Sequence, residues 1–247
     1  MGAAEIKTDV DAILALGAEM SNVRGMLEDY TIIGAKIKFK HPDERLKASI
    51  AEYEETMGNL KKQFKDDATI QKSVNESLTA WKPIKKALET AQTQTDTKKM
   101  KEQALFIHGN IRSVIKEAAN MKAYLLGKAT NFKDIKELNA AIEIAASARR
   151  LSAHYMMKMW NLDDPTIDKH WKKGVKIYTD SIATLKKSPF YKDVAFKKLL
   201  DKTESMLQYF TMAYDMDGTY MPSVVHDKAS TAFEAANKMS KMILAKK

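Results

Sequence analysis

The chain has 247 residues, 45% hydrophobic and 30% charged, with 41 Lys+Arg against 32 Asp+Glu, a net charge of +9 and no cysteine. So much apolar sequence can bury a core, which excludes a disordered chain, and the missing cysteine excludes disulfide scaffolds, cysteine-ligated zinc or iron–sulfur sites and thiol catalysis. Only 9 glycines and 5 prolines punctuate it, too few for the tight turns of a sandwich or an α/β fold, so an all-α chain of long helices is expected.

Apolar residues recur at helical spacing over nearly the whole length, and the pattern predicts about eight helices. The first is expected over about 4–39 and the second over about 42–65, opened by Pro42 with Asp43 and Glu44 in the turn where the helix dipole favours acids. Asp66-Asp67 starts a third over about 67–92, in which Pro83 is expected to introduce a kink. The polar run 90–97 leads to a fourth over about 96–127, and Gly127 to Asn131 separates a fifth over about 132–160, as a break or as a bend. Asp164-Pro165 and Ser188-Pro189 open the sixth and seventh, the seventh ends near Asp217-Gly218, and Pro222 lies in the first turn of the eighth, which runs to about 245. No run approaches 18 apolar residues and Met1 to Ile6 has no apolar signal core. The expectation is a chain soluble as written, natively or after loss of a leader or anchor.

The eight helices read as a duplication. A shift of 125 places Arg24 on Arg149, Met26 on Leu151, Tyr30 on Tyr155, Ile50 on Val175, Tyr53 on Tyr178 and Leu60 on Leu185; a further shift of three brings Leu78 and Trp81 onto Met206 and Tyr209. The expected organisation is two tandem four-helix-bundle-like units, 1–127 and 128–247.

Within the first helix Ile6, Ile13, Met20, Leu27 and Gly34 form one heptad row, and Val10, Gly17, Arg24 and Thr31 the other. In the fifth the rows are Leu138, Ala145, Ser152, Met159 and Ile142, Arg149, Met156, so Arg149 stands in the seam where Arg24 does. A guanidinium among core positions needs an acceptor, because leaving it dry and unpaired costs several kcal/mol on the usual desolvation arguments. That acceptor is an internal carboxylate such as Glu28 or Asp29, or a bound anion whose oxygens match the planar fork of donors.

The stretch Ser147 to Trp160, SARRLSAHYMMKMW, resembles a helix of the PilJ family, the N-terminal sensory domain of type IV pilus methyl-accepting chemotaxis transducers, related to NarX-type nitrate sensors. The family pattern is roughly R-Q-R-M-L-S-Q-R in tandem copies, with a later tryptophan before a basic-apolar stretch, which Trp81 to Leu88 resembles. Position by position the arginine at the pattern's third place is Arg149, the leucine Leu151 and the serine Ser152; in the first repeat the arginine is Arg24. The pattern's first arginine is replaced by Ser147 and Asn22, and its last by His154 and Asp29. The resemblance implies a periplasmic or extracellular helical sensor that binds a small anionic or polar ligand, nitrate in the related sensors, and passes a helix displacement onward to chemotaxis or pilus signalling. It implies Arg24 and Arg149 as anion-contacting residues; the duplication, not the resemblance, is what would set the two near one pseudo-twofold axis. Ser152 and His154 are auxiliary polar groups, and Tyr30 and Tyr155 pocket walls. A homodimer or a protein partner is compatible with it, and membrane attachment would come only through a removed anchor.

Other chemistries find little in the sequence. The five histidines show no i, i+4 pair and no zinc spacing, so no metal site and no cofactor is expected. Asp215-x-Asp217-Gly218 is half a calcium loop and reads as helix capping; nine of the 15 methionines follow Tyr155 and read as adaptable core, as do Tyr209, Phe210 and Tyr214 at helical spacing. The lysines are spread over nearly every helix rather than gathered in one arm, which argues against nucleic acid. No phosphate loop, nucleophile elbow or distinctive carboxylate pair points to an enzyme. The alternative to a sensor is a helical scaffold with no small ligand.

Overall fold

A computed structural model describes residues 5–129, 132–216 and 218–245. Among them are eight α-helices and no strand, the all-α architecture that composition and spacing predict. The chain divides into two compact units, Met1–Asn131 and Phe132–Lys247. The first holds α1 (Asp9–Gly34), α2 (Pro42–Gln63), α3 (Ala68–Glu89) and α4 (Thr97–Lys128); the second holds α5 (Ile135–Met159), α6 (Thr166–Lys186), α7 (Val194–Asp215) and α8 (Pro222–Ala245). In each unit the first helix packs on the second and fourth, and the third on the second and fourth, closing a four-helix bundle.

Caps decide where these helices begin. Thr8 and Asp11 make a reciprocal capping box, so α1 starts at Asp9, later than apolar spacing alone suggests. It stops at Gly34 because Lys36, Lys40 and His41 take left-handed backbone, although Ile37 and Phe39 continue the apolar spacing. Asp67 caps α3, Asp96 caps α4 and Asp193 caps α7, each accepting from two backbone amides. Ser188-Pro189 opens only a 3-10 turn, Pro189–Lys192, before that last cap. Pro83 is accommodated inside a single helix α3, and α4 and α5 are separate helices. Ala4, Thr130, Asn131 and Asp217, on which other expected boundaries fall, lie outside the described residues.

Shifted by 125, the starts of α1 to α4 fall within one residue of the starts of α5 to α8. Its register on the third helix differs from the sequence expectation. Cap Asp67 matches cap Asp193 and buried Ser77 matches buried Thr203, a shift of 126, which puts Trp81 on Leu207 rather than on Tyr209. Side-chain size hid this, because an aromatic was expected to match an aromatic. In both units a fully buried tyrosine of the second helix reaches the third: Tyr53 bonds Ser77 Oγ at 2.8 Å, and Tyr178 donates to the Thr203 carbonyl at 2.9 Å.

The first helix of each unit is its core. α1 buries 18 of its 26 residues and α5 buries 16 of 25, against 7 of 22 in α2, as their nearly all-round apolar sequences require. Trp81 packs on Tyr53 with centroids 4.4 Å apart in unit 1, and Trp171 stacks on Tyr214 at 3.8 Å in unit 2.

Candidate functional site

The α5–α6 seam of unit 2 gathers three basic side chains. Arg150 and His154 are one turn apart on α5, hence on one face, and His170 and Gly174 are one turn apart on α6. The helices run antiparallel with Gly174 level with Arg150 and His170 level with His154. A β-carbon on Gly174 would sit 3.0 Å from Arg150 Cδ and 3.0 Å from Leu151 Cδ2, so the glycine leaves the space through which the arginine stem passes. The His154 and His170 rings meet edge to face, centroids 6.0 Å apart.

Arg150 keeps some exposure, but its Nη1 is buried and no hydrogen-bond acceptor reaches it. Burial holds its guanidinium below the ordinary arginine value, against the opposing charge of Glu143. Arginine stays protonated nonetheless, so the seam contains a permanent positive charge with an unfilled donor. His154 approaches the Arg150 carbonyl with Nδ1 at 2.6 Å, which ties the imidazole to the same turn.

The residues singled out from the sequence lie in several environments. Arg24 is buried, and its Nη1 donates to the Met20 carbonyl at 2.8 Å. Asp29, one of its two expected partners, is paired with Arg45 of α2. Arg149 is half-buried and lays its guanidinium over the Phe233 ring of α8 at 5.4 Å. It therefore points to α8, whereas Arg150, a hundred degrees round the helix, points to α6. His154 thus joins Arg150 and not Arg149. Ser152 is fully buried. Tyr155 accepts from the Met221 amide at 2.7 Å and meets Tyr220 edge-on, fastening the α7–α8 connection, while the Tyr30 hydroxyl is 2.9 Å from Thr90 Oγ1. Burial raises the pKa of both phenols.

Arg150 and His170 were not singled out by sequence reasoning. A signal was present: Gly174 is one of nine glycines in the chain and sits in mid-helix, where glycine costs stability unless something must approach closely.

Unit 1 fills the corresponding positions differently. Arg150 corresponds to Gly25, where a β-carbon would meet nothing within 4 Å, and His154 and His170 correspond to Asp29 and Arg45. Further along this seam Glu19 is buried. It accepts from Thr56 Oγ1 at 2.7 Å and from Asn22 Nδ2 at 3.1 Å, and burial pushes its carboxyl up to about 7.

Two surface grooves of about 450 Å³ are lined by side chains that pair with one another. In unit 2 Tyr214 donates to Asp168 and Lys158 donates to the Tyr214 carbonyl at 2.8 Å; in unit 1 Lys128 and Tyr124 both donate to Asp67. Among the described residues no group of three or more His, Asp or Glu is placed to hold a metal ion, and no helix is long and apolar enough to cross a membrane. No family model, curated protein or solved structure matches the chain.

Proposed function

We propose that this protein is a helical binding module of the sensory kind that takes a small anion into the α5–α6 seam of unit 2. Arg150 is the anchor, with His154 and His170 beside it. The observation that carries this reading is the buried Nη1 of Arg150, a charged donor for which the fold supplies no acceptor. An arginine held for structure alone would have its donors satisfied, as buried charges generally are. The resemblance of Ser147 to Trp160 to sensory domains supports the same class and, with it, an extracytoplasmic setting and a signalling partner. The ligand site moves from the arginine the pattern marks, Arg149, to its neighbour.

Thermal unfolding of the full chain at constant ionic strength, with nitrate, formate, acetate and small dicarboxylates, tests the reading. An anion at about 100 times its dissociation constant stabilises by about 2.7 kcal/mol, a rise of roughly 5–10 °C for a chain of this length if it melts as one transition. The rise is expected to vanish in Arg150→Met and to survive in Arg149→Ala. Loss in Arg149→Ala alone would return the site to the seam position of the sequence pattern. A flat panel with every anion would overturn the reading in favour of a helical scaffold.

A further inference from the structure

We infer that the α6–α7 groove of unit 2, apart from the Arg150 seam, is a docking site for an acidic peptide segment of a partner protein, seated by one apolar side chain. Charge gives the first half of the argument. Lys169, Lys172, Lys173 and Lys176 follow one another on α6 at spacings of three and four, so they form one stripe about 10 Å long. All four are exposed. Lys176 donates to Asp180 at 2.7 Å, and among the described residues no carboxylate pairs with the other three. Like charges at this spacing repel and weaken a helix, so the stripe does nothing for the fold. Unit 1 builds the same bundle with Glu44, Lys47, Ala48 and Ala51 at the equivalent positions.

The groove beside the stripe gives the second half. Lys172, Val175 and Lys176 line it from α6 and Thr211 and Asp215 from α7, around a space of about 450 Å³. Trp171 and Tyr214 lie at its base, only 5% and 6% exposed. Unit 1 has fully buried Leu46 and Leu88 at those two positions, so the aromatic pair, like the lysines, belongs to unit 2 alone. The two rings stack on each other at 3.8 Å, and Lys158 Nζ lies 4.4 Å from the centre of the Tyr214 ring. A recessed pair stacked in this way offers no open platform to a nucleobase. A lipid surface is met by apolar side chains that project, whereas the apolar atoms here lie at the bottom of a groove and are reached by a side chain that the partner inserts. Asp168 at the base is engaged by the Tyr214 hydroxyl. Exposed Asp215 on the α7 side repels an acidic segment and so sets its carboxylates over the lysines of α6.

Fluorescence anisotropy of a labelled synthetic peptide, glutamates about a single central leucine, titrated with the full chain at low salt tests this. Binding is expected to weaken as salt rises, and to weaken about tenfold when serine replaces the leucine. The triple variant Lys169→Glu, Lys172→Glu, Lys173→Glu changes exposed side chains only and is expected to bind at least about tenfold more weakly at an unchanged melting temperature. Lys62→Glu, Lys82→Glu, Lys86→Glu in unit 1 changes the net charge equally and is expected to bind as the unaltered chain does. Thr211→Glu, which sets a carboxylate in the opposite wall, gives a second reading and is also expected to weaken binding about tenfold. No binding at low salt, equal losses in the two triple variants, or binding indifferent to the leucine would overturn the docking site. Tighter binding of a single-stranded oligonucleotide, or of vesicles rich in phosphatidylserine, would overturn it in favour of that partner. The formate-induced rise in melting temperature reads the Arg150 seam separately.

Discussion

Arg45 donates from Nε to Asp29 at 3.2 Å across the α1–α2 seam, at the two positions where the second repeat carries His170 and His154. One of the two bundles thus closes its seam with an internal ion pair, and the other has two imidazoles and an arginine at the positions a shift of 125 makes equivalent. Arg45 also donates to the Lys40 carbonyl and covers Phe39, so it holds the left-handed stretch that ends α1. Because the Asp29 side chain is 6% exposed, Arg45→Ala removes the ion pair of a buried carboxylate and is expected to cost about 1–3 kcal/mol, read by denaturant unfolding. Amide exchange over 35–41 is expected to speed up in the same variant.

Glu19 predicts the sign of a pH dependence. Its carboxyl titrates at about 7 in the folded unit and at the ordinary glutamate value in the unfolded chain, so the folded state binds the extra proton between those limits. Its contribution is fully present below the ordinary value and is lost as pH rises to about 7, a loss of about 3 kcal/mol. The difference in unfolding free energy between the unaltered chain and Glu19→Gln isolates it. That difference is expected to change across this window and to be constant above about pH 8.

Two glycines in the paired seams predict opposite outcomes. A methyl group on Gly25 meets nothing within 4 Å and removes a mid-helix glycine, so Gly25→Ala is expected to stabilise by about 0.5–1 kcal/mol. At Gly174 the same change drives into Arg150 and Leu151, and a cost of about 1–3 kcal/mol is expected together with weaker anion binding. Thermal unfolding with and without formate reads both.

Arg150 is expected to be a residue whose removal does not harm the fold. Exchanging a buried, under-satisfied guanidinium for an apolar chain of similar length is neutral or stabilising by about 1 kcal/mol, so Arg150→Met should melt no lower than the unaltered chain. Arg149→Ala, which gives up its place over Phe233, is expected to lose about 0.5–1 kcal/mol. An Arg150→Met chain that unfolds at ordinary temperature would make this arginine a structural residue.

How far the sequence could be read differs between fold and site. Long stripes of apolar residues and the Pro42, Asp96 and Pro222 starts carried the eight helices, because period and capping are local properties. The ends of α1 escaped because Thr8 and the left-handed residues after Gly34 act against an apolar pattern that continues past them. The tyrosines Tyr53 and Tyr178 exposed the repeat, yet the register of α3 on α7 depended on Asp67 and Asp193, whose cap role no hydrophobic pattern shows. At the site, seam spacing marked Arg149, and a heptad count treats its neighbour as surface. Which of two adjacent arginines is buried was decided by Gly174, distant in sequence and informative only once α6 is laid antiparallel on α5.

The most direct test of an anion site confined to the α5–α6 seam is hydrogen exchange of the full chain with and without saturating formate. Slower exchange is predicted in α5 around 147–155 and in α6 around 167–175, with α1 and α2 unchanged. Protection centred on Arg24 in α1, or no change in either seam under conditions where formate raises the melting temperature, would contradict it.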